Sequence, residues 1–438
     1  MSLIDFTHKL TFETLPEDVI RQARRCLIDL VGVAASGLRT QMSGIVMNHV
    51  ARHFCAPANE GARMMFDGRR VSAVGAAYAG ATMIDSFDAH DGHVLTKGHA
   101  GVAILPALLA YWDAENLKLD IEEVLTCIVL GYEIATRAGI ALHASACDYH
   151  TSGAWNALAC AALGARLLKL SPAQTREAIG IAEYHGPRSQ MMRCIEWPTM
   201  VKDGSAWGAL SGVSAAYLAM DGFTGAPAIT AEGPELAEIW ADLGTRWYIL
   251  EQYFKPYPVC RWAQPAIRAT RLLMDENGLS GDDVVDVEVK TFAQAVALHS
   301  AAPATTEEAQ YSLPFPLAAM IRKGKIGADE ITGPGLSDPA VLELSRRIRL
   351  VADPAICARF PAERFAIVSL TTRDGSTFTS GMTEAHGGPA NPLSDAEIDT
   401  KFDELAGMLR ASRRHSVRQA IHDVSTGSSG LADLILTA

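Results

Sequence analysis

Three aspartates and three histidines fall within residues 85–99: Asp85, Asp88, Asp91, His90, His93 and His99. Carboxylates beside imidazoles suit two chemistries. In one, a carboxylate orients a histidine that takes and returns a proton near neutral pH. In the other, the same atoms ligate a metal, with His90 and His93 three apart and Asp88 supplying hard oxygens. The spacing is not the His-Glu-x-x-His of zinc proteases. A solvated polar loop between helices is the third possibility, and this segment alone leaves all three open.

Other polar islands lie far along the chain. Asp148-Tyr149-His150-Thr151-Ser152-Gly153 precedes an alanine-rich stretch, where helix N–H groups could hold a carboxylate. Lys202 precedes a second small-residue stretch, and Lys255 lies in Phe254-Lys255-Pro256-Tyr257-Pro258 with Arg261 close behind. Such cations can bind a substrate carboxylate, or a lysine can act as a base when desolvated. His185 and Arg188 form another candidate anion contact. The chain has no GxGxxG, Walker A or GxSxG sequence, which argues against standard nucleotide binding and an α/β-hydrolase site.

The elements that must position these residues change character along the chain. Up to about residue 262 the pattern is helical. Pro16 opens one helix, in which Val19, Ala23, Cys26, Leu27, Leu30 and Val31 recur at helical spacing before Gly37. Asp120 with Glu123, and Ser171 with Gln174, have capping-box spacing. The small-residue runs 154–165 and 206–219 predict buried helices. Beyond residue 265, Val285, Val287 and Val289 alternate with charges as in a strand, and residues 348–351 predict another. Asp374-Gly375 predicts a hairpin between 365–372 and 376–380. Ser394 with Glu397 caps a final helix that could return to the helical part.

Composition sets the outer bounds. Apolar residues make up 49% and charged residues 20%, enough for a folded core. The net charge of −12 disfavours nucleic acid or anionic lipid as the main partner. Met1-Ser2-Leu3-Ile4-Asp5 lacks the basic, then apolar, pattern of a signal peptide. Apolar runs such as 104–112 and 124–130 fall short of the roughly 20 residues of a membrane span. The eight cysteines contain no CxxC pair and read as reduced thiols. These features point to a cytoplasmic protein with neither membrane nor nucleic acid as partner.

Taken together and in order, the islands resemble the MmgE/PrpD family. The resemblance rests on Ile84-Asp85-Ser86-Phe87-Asp88-Ala89-His90, on Gly98-His99-Ala100-Gly101 with Leu105-Pro106-Ala107, and on Tyr149-His150-Thr151-Ser152. It continues through Gly222-Phe223-Thr224-Gly225, Phe254-Lys255-Pro256-Tyr257-Pro258, Glu308-Ala309-Gln310-Tyr311-Ser312-Leu313-Pro314, and Asn391-Pro392 with Lys401-Phe402. It implies a mainly α protein: a large all-helical domain built from both chain ends, 1–264 and 394–438, plus a smaller inserted α+β domain, 265–393. It also implies a homodimer and chemistry without an organic cofactor, and the site is expected to hold no metal. Asp85, His99, His150, Lys202 and Tyr311 take catalytic positions by this match. Asp88, Lys255 and Arg261 are expected to contact substrate. The sequence departs from the family pattern at Ala89 (threonine), at Ala100 (proline) and after Lys202, where the usual histidine is missing.

The resulting expectation is a lyase, a dehydratase or decarboxylase acting on a small di- or tricarboxylate by acid/base chemistry beside a carboxylate. In that scheme Asp85 orients a histidine. The alternatives are epimerisation of a dicarboxylate, metal-dependent hydrolysis through His90, His93 and Asp88, and a non-catalytic binding protein.

Overall fold

The computed structural model describes residues 1–57, 60–422 and 429–438. The fold is mainly α and divides into two compact units. The first comprises Met1–Met191, Lys202–Gln252 and Ser394–Ala438; the second comprises Met192–Val201 and Tyr253–Leu393.

The first unit is a helical assembly. Its main helices are α1 (Glu17–Gly37), α2 (Gln41–His53), α3 (Ala73–Asp85), α4 (Gly101–Ala114), α5 (Ile121–Ser145), α6 (Gly153–Leu167), α7 (Pro172–His185) and α8 (Ser205–Met220). A short antiparallel ladder of β1 (Ala62–Arg63) and β2 (Arg70–Val71) is added to them, a departure from the all-helical expectation. Pro16 is the N-cap of α1 rather than its first residue. The helix Asp395–Leu405 returns to α1, where Gly32 gives Phe402 room: a Cβ there would lie 3.2 Å from its ring.

Small residues set the centre of this unit. A Cβ on Gly212 of α8 would stand 2.3 Å from the Ala157 carbonyl of α6. The two backbones therefore touch directly, as the small-residue runs predict. Ser171 and Gln174 form the reciprocal capping box, as do Ser394 and Glu397. Asp120 caps α5 alone, because the Glu123 carboxylate is drawn to Arg166 at 2.6 and 2.8 Å.

Helix α5 corrects one expectation. It is long and apolar enough to cross a membrane, and 94% of its most apolar window is buried inside the protein. Glu133 and Arg137 interrupt the run in the sequence, but the helix buries both, 3.6 Å apart.

The second unit has a sheet in the order β4 (Ile348–Ala352), β3 (Val284–Thr291), β5 (Phe365–Thr372), β6 (Thr377–Thr379), with β7 (Thr383–Glu384) also on β5. The pair β3/β4 is parallel and β3/β5 antiparallel. Ala366, Val368 and Leu370 alternate inward, and α9 (Gln264–Asn277) packs on that strand with α10 (Pro314–Lys323) beside it. The predicted hairpin forms around Gly375 at φ 87°, while the Asp374 carboxylate accepts from Ser376 N at 3.0 Å.

Candidate active site

Helix α3 ends at Asp85, and the chain then runs without helix or strand to α4 at Gly101. This connection is buried: Asp85, Asp88, His90, Asp91, His93 and His99 are at most 9% exposed. It is not a solvated loop. Burying so many ionisable groups is costly unless each has partners.

His99 is held on three sides. Its Nδ1 lies within a short hydrogen bond of the Asp91 backbone carbonyl. A carbonyl can only accept, so Nδ1 carries the proton and Nε2 is left as the basic nitrogen. The His99 amide donates to Ser152 Oγ at 2.9 Å, and its carbonyl accepts from Asn156 Nδ2 at 3.0 Å. Ser152 in turn donates its hydroxyl to Asp203, which also accepts from the Ser152 amide at 3.2 Å. The starts of α6 and α8 are thus latched onto the His99 peptide. A Cβ on Gly98 would stand 2.5 Å from Ser152 Oγ, so this glycine is required by the close approach.

Asp88, His90 and His99 each offer a ligand atom within 4.8 Å of the others. The rings of His90 and His99 meet edge to face at 4.2 Å. These three residues could hold a cation. The sequence trio for a metal differs, because His93 accepts from Leu95 N through Nδ1 and turns its Nε2 to Glu251 at 3.5 Å.

Asp85 has acquired different partners from those expected. The group set on the imidazole is the Asp91 carbonyl, whereas Asp85 sits in the field of Asp203, Lys202 and Asp88. Burial first, then the Asp203 charge, push its carboxyl up to about 7, against the pull of Lys202. Lys202 is itself 2% exposed and adopts a left-handed backbone at φ 46°. That conformation costs a non-glycine residue on the order of 1–2 kcal/mol, and such strain gathers at functional positions.

His150 lies outside the Asp88, His90 and His99 cluster. Its amide donates to His143 Nε2 at 3.1 Å, and its own Nε2 is 3.8 Å from Asp148. Burial, with the nearby Lys97 charge, lowers His143 to about 4, so it stays neutral and braces His150. The bonds of Ser152 to His99 and Asp203 join segments distant in sequence, which no local motif encodes, whereas His143 meets His150 only seven positions on. Of the other anion candidates, Arg188 stands 3.9 Å from Glu183, and His185 is exposed.

The remaining expected residues belong to the second unit. Lys255 is 1% exposed, and Tyr311 caps the helix Thr306–Gln310. Cys260 N donates to the Gln310 carbonyl at 2.8 Å, which ties the segments of Lys255 and Tyr311 together. Arg261 is committed to the backbone. Through Nη1 it donates to the His386 carbonyl at 2.7 Å, and its guanidinium stacks over Tyr253 at 4.5 Å. The pair Gly387-Gly388 serves the same packing, since a Cβ on Gly387 would stand 2.2 Å from the Phe254 carbonyl.

A mainly helical protein with a buried carboxylate–histidine loop and an inserted α+β segment defines a recognisable class. The MmgE/PrpD N-terminal domain model matches residues 1–239 and the C-terminal domain model matches 257–426. The chain belongs to the MmgE/PrpD family. It is 25% identical to cis-aconitate decarboxylase of Mus musculus over 436 residues, covering 93% of this chain and 86% of that one. Its match to the Homo sapiens cis-aconitate decarboxylase is also 25%, over 92% of this chain and 86% of that one. It is 23% identical to the mitochondrial 2-methylcitrate dehydratase of Yarrowia lipolytica, over 85% of this chain and 76% of the relative. Decarboxylases and dehydratases of these kinds are lyases.

Proposed function

We propose that this protein is a lyase that removes CO₂ or water from a small di- or tricarboxylate by acid/base chemistry without a metal. The observation that carries the reading is the fixed tautomer of His99, whose Nε2 is basic because the Asp91 carbonyl holds Nδ1–H. Membership of a family whose relatives are named for cis-aconitate and 2-methylcitrate supports the substrate class.

Both lyase reactions pass through negative charge at a carbon next to a carboxylate. Dehydration requires a base for the proton on that carbon and an acid for the departing hydroxyl. Decarboxylation requires a proton for the carbon that loses CO₂. Neutral His99 serves as the base at Nε2 in the first case and, once protonated there, as the donor in the second. Asp85, poised at about 7, is a second group able to exchange a proton near neutrality. Lys202 supplies the fixed positive charge for a substrate carboxylate. His150 is assigned to proton transfer, Lys255 to carboxylate binding and Tyr311 to auxiliary donation on their motif positions, and Asp88 to substrate contact beside His99.

A panel of di- and tricarboxylates in deuterated water, followed by NMR, tests this. Alkene formation with loss of water, or loss of CO₂ with deuterium gained at one carbon, is expected for one member. Deuterium exchange with inversion and no net loss of mass would establish an epimerase instead.

A further inference from the structure

Behind His99 lies a second set of polar groups that the proposed reaction does not use. Tyr132 of α5 is fully buried and donates its hydroxyl to Asp91 Oδ2. The Cys26 thiol of α1 lies against the same carboxyl. Two residues back along the loop, the Ala89 carbonyl accepts from Lys401 Nζ at 2.7 Å. Lys401 comes from the helix Asp395–Leu405, and its ammonium also pairs with buried Asp29 of α1 at 2.5 Å.

The backbone from Asp88 to Asp91 is neither helix nor strand, so no regular ladder orients its carbonyls. Two side-chain grips reach this stretch from neighbouring helices. The phenol holds Asp91 from one helix, and the ammonium holds the Ala89 peptide from another. The sequence leaves room for the phenol: a Cβ on Gly101, two residues after His99, would stand 2.1 Å from the Tyr132 hydroxyl.

We propose that Tyr132 and Lys401 are positioning residues for proton transfer, because together they fix the loop so that the Asp91 carbonyl selects the His99 tautomer with a basic Nε2. The inference rests on the reading of His99 as the base. The phenol grips the Asp91 carboxyl and the ammonium grips the Ala89 carbonyl. Their action passes through the Ala89 and Asp91 peptides.

The test uses the full chain labelled with ¹⁵N-histidine. One of the thirteen histidines is assigned to position 99 by its loss in His99→Gln. The unmodified protein is expected to show His99 protonated at Nδ1. Tyr132→Phe, which removes one oxygen, and Lys401→Met should move the signal toward the Nε2–H form. Turnover should fall by ~10-fold or more with KM changed less than about twofold, as expected when geometry rather than binding is lost. Lys401→Arg, which keeps the charge, should recover part of the turnover. If Lys401→Met does not fold, Tyr132→Phe decides alone. An unchanged Nδ1–H signal with unchanged turnover in Tyr132→Phe overturns the proposal. The spectrum needs no substrate, so the two readings fail separately. Full turnover in His99→Gln would remove His99 as base, whereas a tautomer change in Tyr132→Phe would still establish the positioning.

Discussion

The Asp91 carbonyl accepts the Nδ1 proton of His99, so a backbone group, not a carboxylate, sets the imidazole. The arrangement directs the basic nitrogen, Nε2, away from that carbonyl, with the Asp88 carboxylate close by in the same cluster. His99→Gln should therefore lower kcat by ~10²–10⁴-fold, the usual contribution of a positioned acid/base group. Steady-state kinetics on the substrate found in the NMR panel would measure this. A loss below threefold would show that the proton is handled elsewhere.

Three buried carboxyls, Asp85, Asp91 and Glu133, are pushed up to about 7, in each case chiefly by burial. Unfolding returns each to about 4. Between about pH 4 and 7 the folded chain then binds more protons than the unfolded one, so its stability falls as the pH rises through that window. Asp85→Asn removes one such group. Its melting temperature should exceed that of the unmodified protein at pH 8 and match it at pH 5, while activity is lost. Calorimetry at the two pH values checks the sign, and a lower melting temperature at pH 8 would contradict it.

Asp88, His90 and His99 are close enough to hold a cation, which makes metal dependence a direct question. If His99 Nε2 is the base, it is not also a ligand. Prolonged chelation and dialysis should leave turnover unchanged, and elemental analysis of the active protein should show no stoichiometric metal. Loss of activity restored by one divalent ion would replace the present mechanism.

Gly153 opens α6 with its Cα against the Gly204 carbonyl, where an added Cβ would stand 2.1 Å from the oxygen. Gly153→Ala must push the start of α6 from the start of α8. Overpacking of this kind costs about 1–3 kcal/mol. The same shift pulls Ser152 from Asp203, so turnover should fall further than the stability loss alone explains. Denaturant titration and kinetics on the same sample would separate the two effects.

Local chemistry was the legible part of this protein. Turn residues at Asp374-Gly375, capping boxes at Ser171 and Ser394, and small residues in α6 and α8 act over a few positions, and the elements they predict are present. Glu123 shows where such reasoning stops, because its carboxylate pairs with Arg166, 43 positions away, instead of closing the capping box. The site divides in the same way. Asp85, Asp88 and His99 stand out in the sequence by type and spacing, and folding buries all three. The group that orients His99 is a main-chain carbonyl, which no side-chain pattern encodes. Arg261 reads as a clamp from its charge, but its bonds go to carbonyls brought near only by folding.

Lys401 and Asp29 are 372 positions apart in the chain. A ribosome makes the histidine loop long before it makes the lysine that grips it. Nascent or C-terminally truncated chains would carry every acid and base of the site yet lack its final brace, so reactivity would be withheld until synthesis has passed the last fastening.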